Sequence, residues 1–294
     1  VGLNSLSVIL QASKFGTFKS IPEKEIFRME YWPLELAKIK PSSQKLKGQV
    51  AVITGGLGGI GYISAKKFKK EGAEVVIIDI VEQKNIKLDI SGMTYFKCDI
   101  TKEFDLKGIF EKISERYGGV DILISNAGFA TVESLEDLSK KQLDKSLDLN
   151  LFAHHYFVKH GVAIMKRQKT RGVVLFNISK QAVNPGKNYA AYGLPKAALL
   201  FLMKQYAVEY SDHGIRFNGV NADRIRSGLM TDDMIAKRSK ARGLSIQQYM
   251  SGNLLKREVK AIDVADAFYH LALSYKSTAS VITVDGGNIE SSFR

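Results

Sequence analysis

Tyr192 and Lys196 stand four residues apart in Tyr192-Gly-Leu-Pro-Lys196, a spacing that sets a phenol and an ammonium on one face of a helix. A tyrosine hydroxyl titrates near 10 and is a poor base at neutral pH. A neighbouring lysine cation, helped by a nicotinamide cation, favours the phenolate and lowers that value, so the pair can exchange a proton with an alcohol. Tyr189 is a rival phenol, but Gly193 occupies its fourth following position, so it lacks such a partner. Ser179 lies thirteen residues before Tyr192 and is the only Ser or Thr between Gly172 and Tyr192. At the end of a strand, its hydroxyl can donate a hydrogen bond to a substrate oxygen. Taken alone, a tyrosine and a lysine at this spacing also describe an ordinary surface pair on a helix.

A second set of residues has the chemistry of a nucleotide site. Val50-Ala-Val-Ile-Thr-Gly-Gly-Leu-Gly-Gly-Ile-Gly61 runs from apolar β-formers into glycines and then into the helical stretch Tyr62–Lys70. Strand, glycine turn and helix make a dinucleotide cradle, with Gly55, Gly59 and Gly61 at the fixed positions. Glycines admit a pyrophosphate close to the backbone, and the helix start offers it free N–H groups and a positive dipole end. A plain tight turn is the other reading of the cluster. Asp79 closes the apolar run Glu74-Val-Val-Ile-Ile-Asp79, eighteen residues after Gly61. A carboxylate there accepts both hydroxyls of an adenosine ribose and repels a 2′-phosphate, and no Arg or Lys sits in the glycine turn, so the sequence predicts NAD rather than NADP. Asp79 as a mere strand cap is the alternative. Asp99, in Phe96-Lys-Cys-Asp-Ile100, is positioned to meet an adenine amino group, and Ser125-Asn-Ala-Gly128 supplies a small-residue turn against which a cofactor can lie.

The elements that must position these groups alternate. Strands are expected near 49–54, 74–79, 94–98, 121–125, 172–178, 215–220 and 280–284, and helices near 60–71, 103–117, 139–166, 190–212 and 263–274. Apolar strands separated by amphipathic helices imply a parallel sheet covered on both faces, with every candidate binding residue at a strand's carboxyl end. Residues 224–260 break the alternation and are expected to lie over the crevice as a basic lid, with Arg224, Arg226, Lys237, Arg238, Lys240, Arg242, Lys256 and Arg257 outweighing Asp232, Asp233 and Glu258. Residues 1–45 read as an extension ahead of a domain over 46–294, with a short helix near Glu23–Lys38 that starts at Pro33 and a linker at Pro41-Ser-Ser43.

At 294 residues and 45% apolar content the chain can bury one full core. Cys98 is its single cysteine, which excludes a disulfide framework and fits a reducing cytosol. No apolar run approaches the roughly 20 residues of a membrane helix. The first ten residues lack the basic start of a secretory signal, and the absence of an initiator methionine suggests a trimmed chain or a piece of something longer. The net charge of +13 is spread along helix faces such as Lys66, Lys67, Lys69 and Lys70 with no aromatic-basic motif, so it suits an anionic substrate or partner better than nucleic acid. His154, His155 and His160 share one helix and are expected in packing or subunit contact, not as metal ligands.

Together, Thr54-Gly-Gly-Leu-Gly-Gly-Ile-Gly61, Asn126-Ala-Gly128, Asn150 in Asp148-Leu-Asn-Leu-Phe152, Ser179, Tyr192 with Lys196, and Val284-Asp-Gly-Gly287 resemble the short-chain dehydrogenase/reductase family. The resemblance implies a Rossmann-type, doubly wound, seven-stranded parallel sheet and a Ser179-Tyr192-Lys196-Asn150 tetrad. Tyr192 would exchange the proton, Ser179 would hold the substrate oxygen, Lys196 would bind the nicotinamide ribose, and Asn150 would position a relay water. Asn150 as a mid-helix residue bonded to nearby backbone is the other reading. The family pattern also puts Ile60, Ile100 and Ile225 against the cofactor, and implies a dimer or tetramer built on the two long helices. Ala222-Asp223 stand where the family usually has Pro-Gly, which would bring Asp223, Arg224 and Arg226 near the pocket.

A narrower resemblance, through Asn221-Ala-Asp-Arg-Ile-Arg-Ser-Gly228, Tyr249-Met-Ser-Gly-Asn-Leu-Leu255 and Phe27–Lys38, is to the dehydrogenase half of bifunctional aldolase/short-chain dehydrogenase proteins. It implies a small hydroxyaldehyde substrate such as lactaldehyde, and an aldolase partner. The first histidine is His154, so residues 1–150 carry no histidine cluster for an aldolase metal. Reduction of 3-oxoacyl carrier protein and a noncatalytic NAD-binding scaffold are the competing functions. Asp79 disfavours the first and the intact Ser179, Tyr192 and Lys196 disfavour the second.

Overall fold

The computed structural model describes residues 44–288; the helix expected near Glu23–Lys38 and the linker Pro41-Ser-Ser43 lie outside them. Seven strands form: β1 (Val50–Thr54), β2 (Glu74–Asp79), β3 (Thr94–Lys97), β4 (Ile122–Ser125), β5 (Gly172–Asn177), β6 (Ile215–Ala222) and β7 (Val281–Val284). All pair in parallel, in the order β3-β2-β1-β4-β5-β6-β7. β-Branched runs such as Val50-Ala-Val-Ile-Thr54 are buried throughout, as a sheet covered on both faces requires. Strand order reverses direction between β1 and β4, so a crevice opens beyond their carboxyl ends.

One face of the sheet is covered by α1 (Gly59–Lys70) and α8 (Ala261–Leu273), through Phe68 and Phe268 against Ile53, Ile77 and Leu175. The other carries α2 (Glu103–Tyr117), α4 (Ala153–Gln168) and α5 (Ala190–Tyr210), with Phe110, Phe157 and Phe217 around Leu123, Val174 and Phe176. The helix expected over 139–166 is two helices. Ser139 caps α3 (Lys140–Leu147), and a π-helical turn, Asp148–Phe152, leads into α4. No Gly or Pro marks that turn in the sequence.

Tertiary bonds flank it. Pro195, inside α5, has no N–H to give the carbonyl of Ala191 four residues earlier. The Ser146 hydroxyl donates to that carbonyl instead at 2.6 Å and accepts from Asn150 Nδ2 at 2.9 Å. The wide turn thereby brings Asn150, fully buried, against the helix that carries Tyr192 and Lys196.

Between β6 and β7 the expected lid folds into α6 (Asp232–Lys240) and the short α7 (Ile246–Met250), capped by Thr231 and Ser245 and packed around Ile235, Tyr249 and Met250. None of the described helices is long and apolar enough to cross a membrane.

Candidate active site and cofactor cleft

The glycine turn is tight enough to demand glycine. Gly55 has φ +62°, and a Cβ on Gly61 would lie 2.1 Å from the Gly55 carbonyl oxygen. The N-cap of α1 is Gly58, which contributes no side-chain cap, and no acid occupies the first helical turn. The N–H groups of that turn are therefore available to an anionic ligand. A cleft of about 740 Å³ opens in front of it. Gly55, Gly59, Ile60, Asp79, Asp99, Ile100, Asn126, Ala127 and Gly128 all line this cleft, while Gly61 sits buried behind it.

Asp79 braces the turn as well as facing the cleft. Its Oδ2 accepts from Leu57 N at 3.0 Å and its Oδ1 from Ile80 N at 2.8 Å. A carboxylate has about four lone-pair sites, so capacity remains for ribose hydroxyls. Asp99 accepts from both the backbone N–H and the hydroxyl of Thr101 through Oδ1. The cradle, the uncapped helix start and the acid at the end of β2 fit a dinucleotide.

One chain of contacts joins this cleft to the tyrosine-lysine pair. Asn126 Nδ2 donates to the carbonyls of Thr54 and Gly55, Asn177 Nδ2 donates to Asn126 Oδ1 at 2.9 Å, and Lys196 Nζ donates to the Asn177 carbonyl at 2.8 Å. Sequence reasoning missed Asn177, which the alternation marked only as a strand end. It also missed Thr54, whose hydroxyl accepts from the N–H groups of Asn126 and Ala127.

Asn150 is not bonded within its own turn alone. Its Oδ1 accepts from Phe129 N at 3.1 Å and its Nδ2 donates to Phe129 O at 3.0 Å, tying the loop after β4 to the start of α4. His154, one turn on, is buried with Nδ1 against the Ser125 hydroxyl at 2.6 Å. Burial, and then the nearby Lys196 charge, hold its pKa well below the usual histidine range, so it packs as a neutral ring. His155 meets the Tyr206 hydroxyl at 2.8 Å. Among the described residues no group of three or more His, Cys, Asp or Glu side chains is placed to hold a metal.

Tyr192 and Ser179 line one pocket, with the Ser179 side chain placed to favour the Tyr192 phenolate, and Lys196 Nζ lies 5.8 Å from the Tyr192 ring centre. A pocket of about 110 Å³, contiguous with the cleft through Ile60, Asn177, Ser227 and Leu229, is lined by both hydroxyl residues and by Tyr189, Asp223, Arg224, Ile225 and Arg238. Asp223 and Arg224 thus reach the pocket as expected. Arg226 does not line it, because its guanidinium is drawn to Glu258 and Asp232, while its backbone and Ser227 roof Gly59.

The expected depression of the tyrosine pKa does not hold for the chain by itself. Burial pushes Tyr192 up to about 12, with the Ser179 contact opposing it, and burial brings Lys196 down to about 7. A buried ammonium with one carbonyl partner is held less firmly than a solvated one.

These shifts carry a stability signature. Between about 7 and the ordinary 10.5 the unfolded chain binds more protons at Lys196 than the folded chain, so the stability contributed by this group rises with pH across that window. Tyr192 acts oppositely, but only between its ordinary 10 and about 12. Lys196→Met is expected to flatten the climb of melting temperature between pH 7 and 10. Equal slopes for variant and wild type would remove the assignment.

A family profile described as enoyl-(acyl carrier protein) reductase matches residues 55–288, and one described as the second domain of class II aldolase matches residues 1–39. "Uncharacterized oxidoreductase YuxG" of Bacillus subtilis is 33% identical over 303 residues, covering 96% of this chain but 44% of its own length, so the chain spans less than half of that relative. The (+)-borneol dehydrogenase 1 of Salvia officinalis is 34% identical over 257 residues, covering 83% of this chain and 95% of the relative. The solved 3-ketoacyl-(acyl-carrier-protein) reductase of Brucella melitensis complexed with NADH is 25% identical, with a TM-score of 0.73 over 83% of this chain and 99% of that one. With a profile match from the glycine turn to the last strand and full-length relatives at this identity, the chain belongs to the short-chain dehydrogenase/reductase family.

Proposed function

We propose that the chain is an NAD-dependent oxidoreductase that moves hydride between nicotinamide and a carbinol carbon of a small alcohol or hydroxyaldehyde. The observation that carries this is Tyr192 and Ser179 lining one pocket contiguous with the glycine-lined cleft. Bound NAD would supply the hydride acceptor and a ring cation. Ser179 holds the substrate oxygen, Tyr192 takes its proton as the carbinol is oxidised, and Lys196 holds a ribose hydroxyl with the N–H groups left beyond its bond to Asn177. Water between Asn150 and Lys196 carries the proton onward, in the space Gly128 keeps open: a Cβ there would stand 2.9 Å from Asn150 Oδ1 and 4.0 Å from Lys196 Nζ.

NAD is favoured over NADP by the carboxylate of Asp79 and by Ile80, an apolar side chain 63% exposed where a 2′-phosphate would need a cation. The aldolase profile at residues 1–39 and the greater length of YuxG support the reading of this chain as the dehydrogenase portion of a protein that also carries an aldolase, acting on a hydroxyaldehyde such as lactaldehyde. A second copy packs on α4 and α5, whose groove is lined by His155, Val162, Leu202 and Tyr206 beside the exposed Phe201 and Val208.

The second reading, reduction of a 3-oxoacyl thioester on a carrier protein, is favoured by the basic lid and by the likeness to the Brucella enzyme. The test is a panel of lactaldehyde, small diols and a 3-oxoacyl thioester with each nicotinamide cofactor, followed by absorbance of the reduced ring. Turnover of a diol or hydroxyaldehyde with NAD is expected. NADPH-dependent thioester reduction selects the second reading, and no turnover of any member with either cofactor removes both.

A further inference from the structure

Four charged side chains line the small pocket: Lys180, Asp223, Arg224 and Arg238. Three of them answer one another. Asp223 Oδ2 lies 3.4 Å from Lys180 Nζ and 3.5 Å from Arg224 Nε, and accepts from Asn288 Nδ2 at 2.9 Å. Arg224 also spends Nη1 on the carbonyl of Tyr249 at 2.9 Å. Arg238 is different. Its guanidinium carbon lies over the Tyr189 ring, 4.5 Å from the ring centre, and its buried Nη2 has no hydrogen-bond partner among the described residues. The Tyr189 ring in turn lies edge-on to Tyr192 at 6.4 Å between centres.

A desolvated guanidinium nitrogen without an acceptor is costly, and the cation–π contact with the Tyr189 ring holds the group in place beside the pocket. Met230 and Met234, also in the pocket lining, offer no anion, and the Asp223 carboxylate is shared by Lys180, Arg224 and Asn288. The geometry points to Arg238 as the anchor for an oxyanion on the substrate, a carboxylate or a phosphate ester on a short hydroxy compound whose carbinol lies at Tyr192 and Ser179. A planar fork of N–H donors suits such oxygens, and the Tyr189 ring keeps it from swinging out to solvent.

Because this assignment rests on the dehydrogenase reading of the pocket, anion binding is measured first, by calorimetry on the full chain without cofactor or turnover. The probes are lactate and 3-hydroxybutanoate for a carboxylate, and glycerol 3-phosphate for a phosphate, each against its uncharged counterpart: propane-1,2-diol, butane-1,3-diol and glycerol. Wild type is expected to bind at least one anion more tightly than the uncharged counterpart, and the probe bound distinguishes the two sources. Arg238→Met is expected to weaken that binding about 10- to 100-fold, and Arg238→Lys, which keeps the charge but not the fork, by less. In turnover with NAD, the Arg238→Met loss in kcat/KM for the anionic member of a pair is expected to exceed the loss for the neutral member by a similar factor, mostly in KM.

Wild type with no affinity for any of the anions overturns the assignment. So does an Arg238→Met variant that loses charged and neutral substrates equally, since that marks the arginine as a brace for the lid. Anion binding that survives in Arg238→Met overturns it as well. Failure of the dehydrogenase reading shows separately, as anion binding sensitive to Arg238 in a chain that turns over neither member of any pair.

Discussion

Tyr192→Phe is expected to lower kcat about 10³-fold while leaving affinity for NAD essentially unchanged. The substitution removes one oxygen and keeps the ring, so the edge-on packing against Tyr189 and the register of α5 survive. What is lost is the pocket hydroxyl that shares its lining with Ser179 and stands one helical turn before Lys196. A positioned proton acceptor supplies 10²–10⁴-fold, and the centre of that range is about 4 kcal/mol of barrier. Burial pushes the hydroxyl up to about 12 in the chain alone, so any phenolate formed in turnover depends on charge brought into the site. The single-turnover rate with a diol or hydroxyaldehyde, together with NAD titration by quenching of protein fluorescence, checks both halves. A variant within tenfold of wild type would transfer the proton role elsewhere, and Tyr189, already lining the pocket, would be the candidate.

The parts of the site that were legible in the sequence are those fixed by backbone geometry. Gly55 needs its positive φ and Gly61 cannot carry a Cβ, so the turn leaves its mark as residue type. Buried parallel strands leave theirs as apolar runs, and all seven fall where those runs predict. Side-chain bonds across the sheet leave no such mark. Asn177 holds Lys196 through a backbone carbonyl, which any residue possesses, and holds Asn126 through an amide that resembles a surface residue at a strand end. The π turn at Asp148–Phe152 holds no Gly or Pro, and its flanking bond runs to a carbonyl of another helix forty-odd residues downstream, so no local pattern announces it. Arg226 sits between Ile225 and Ser227, which line the pocket, yet its guanidinium turns away from it. Charge near a pocket says nothing of direction, and Glu258 and Asp232 decide where that guanidinium points. In the chain without cofactor, burial, invisible in a four-residue motif, dominates the titration of both the tyrosine and the lysine, while spacing reports only their proximity.

Asp79→Asn with Ile80→Arg is expected to raise the ratio of kcat/KM with NADPH to kcat/KM with NADH by about 10²- to 10³-fold. Two terms combine. Asp79 lines the cleft at the end of β2, and its negative charge opposes a 2′-phosphate; asparagine removes that charge yet keeps an oxygen to accept from Leu57 N, so the glycine turn stays braced. At a partly exposed site this change is worth about tenfold, since solvent screens the repulsion. Ile80 is exposed beside it, and an arginine there can reach a phosphate with two parallel N–H bonds, adding about 1.5–3 kcal/mol, or roughly 10- to 150-fold. Asp79→Ala is the informative contrast. It discards the Leu57 contact together with the charge, so it is expected to weaken both cofactors and lower the melting temperature, with less gain in the NADPH ratio than the asparagine variant. If the double variant instead left the ratio where wild type has it, Asp79 would serve the backbone alone. The choice between the two nicotinamide cofactors would then have to come from Asp99 and the loop after β3.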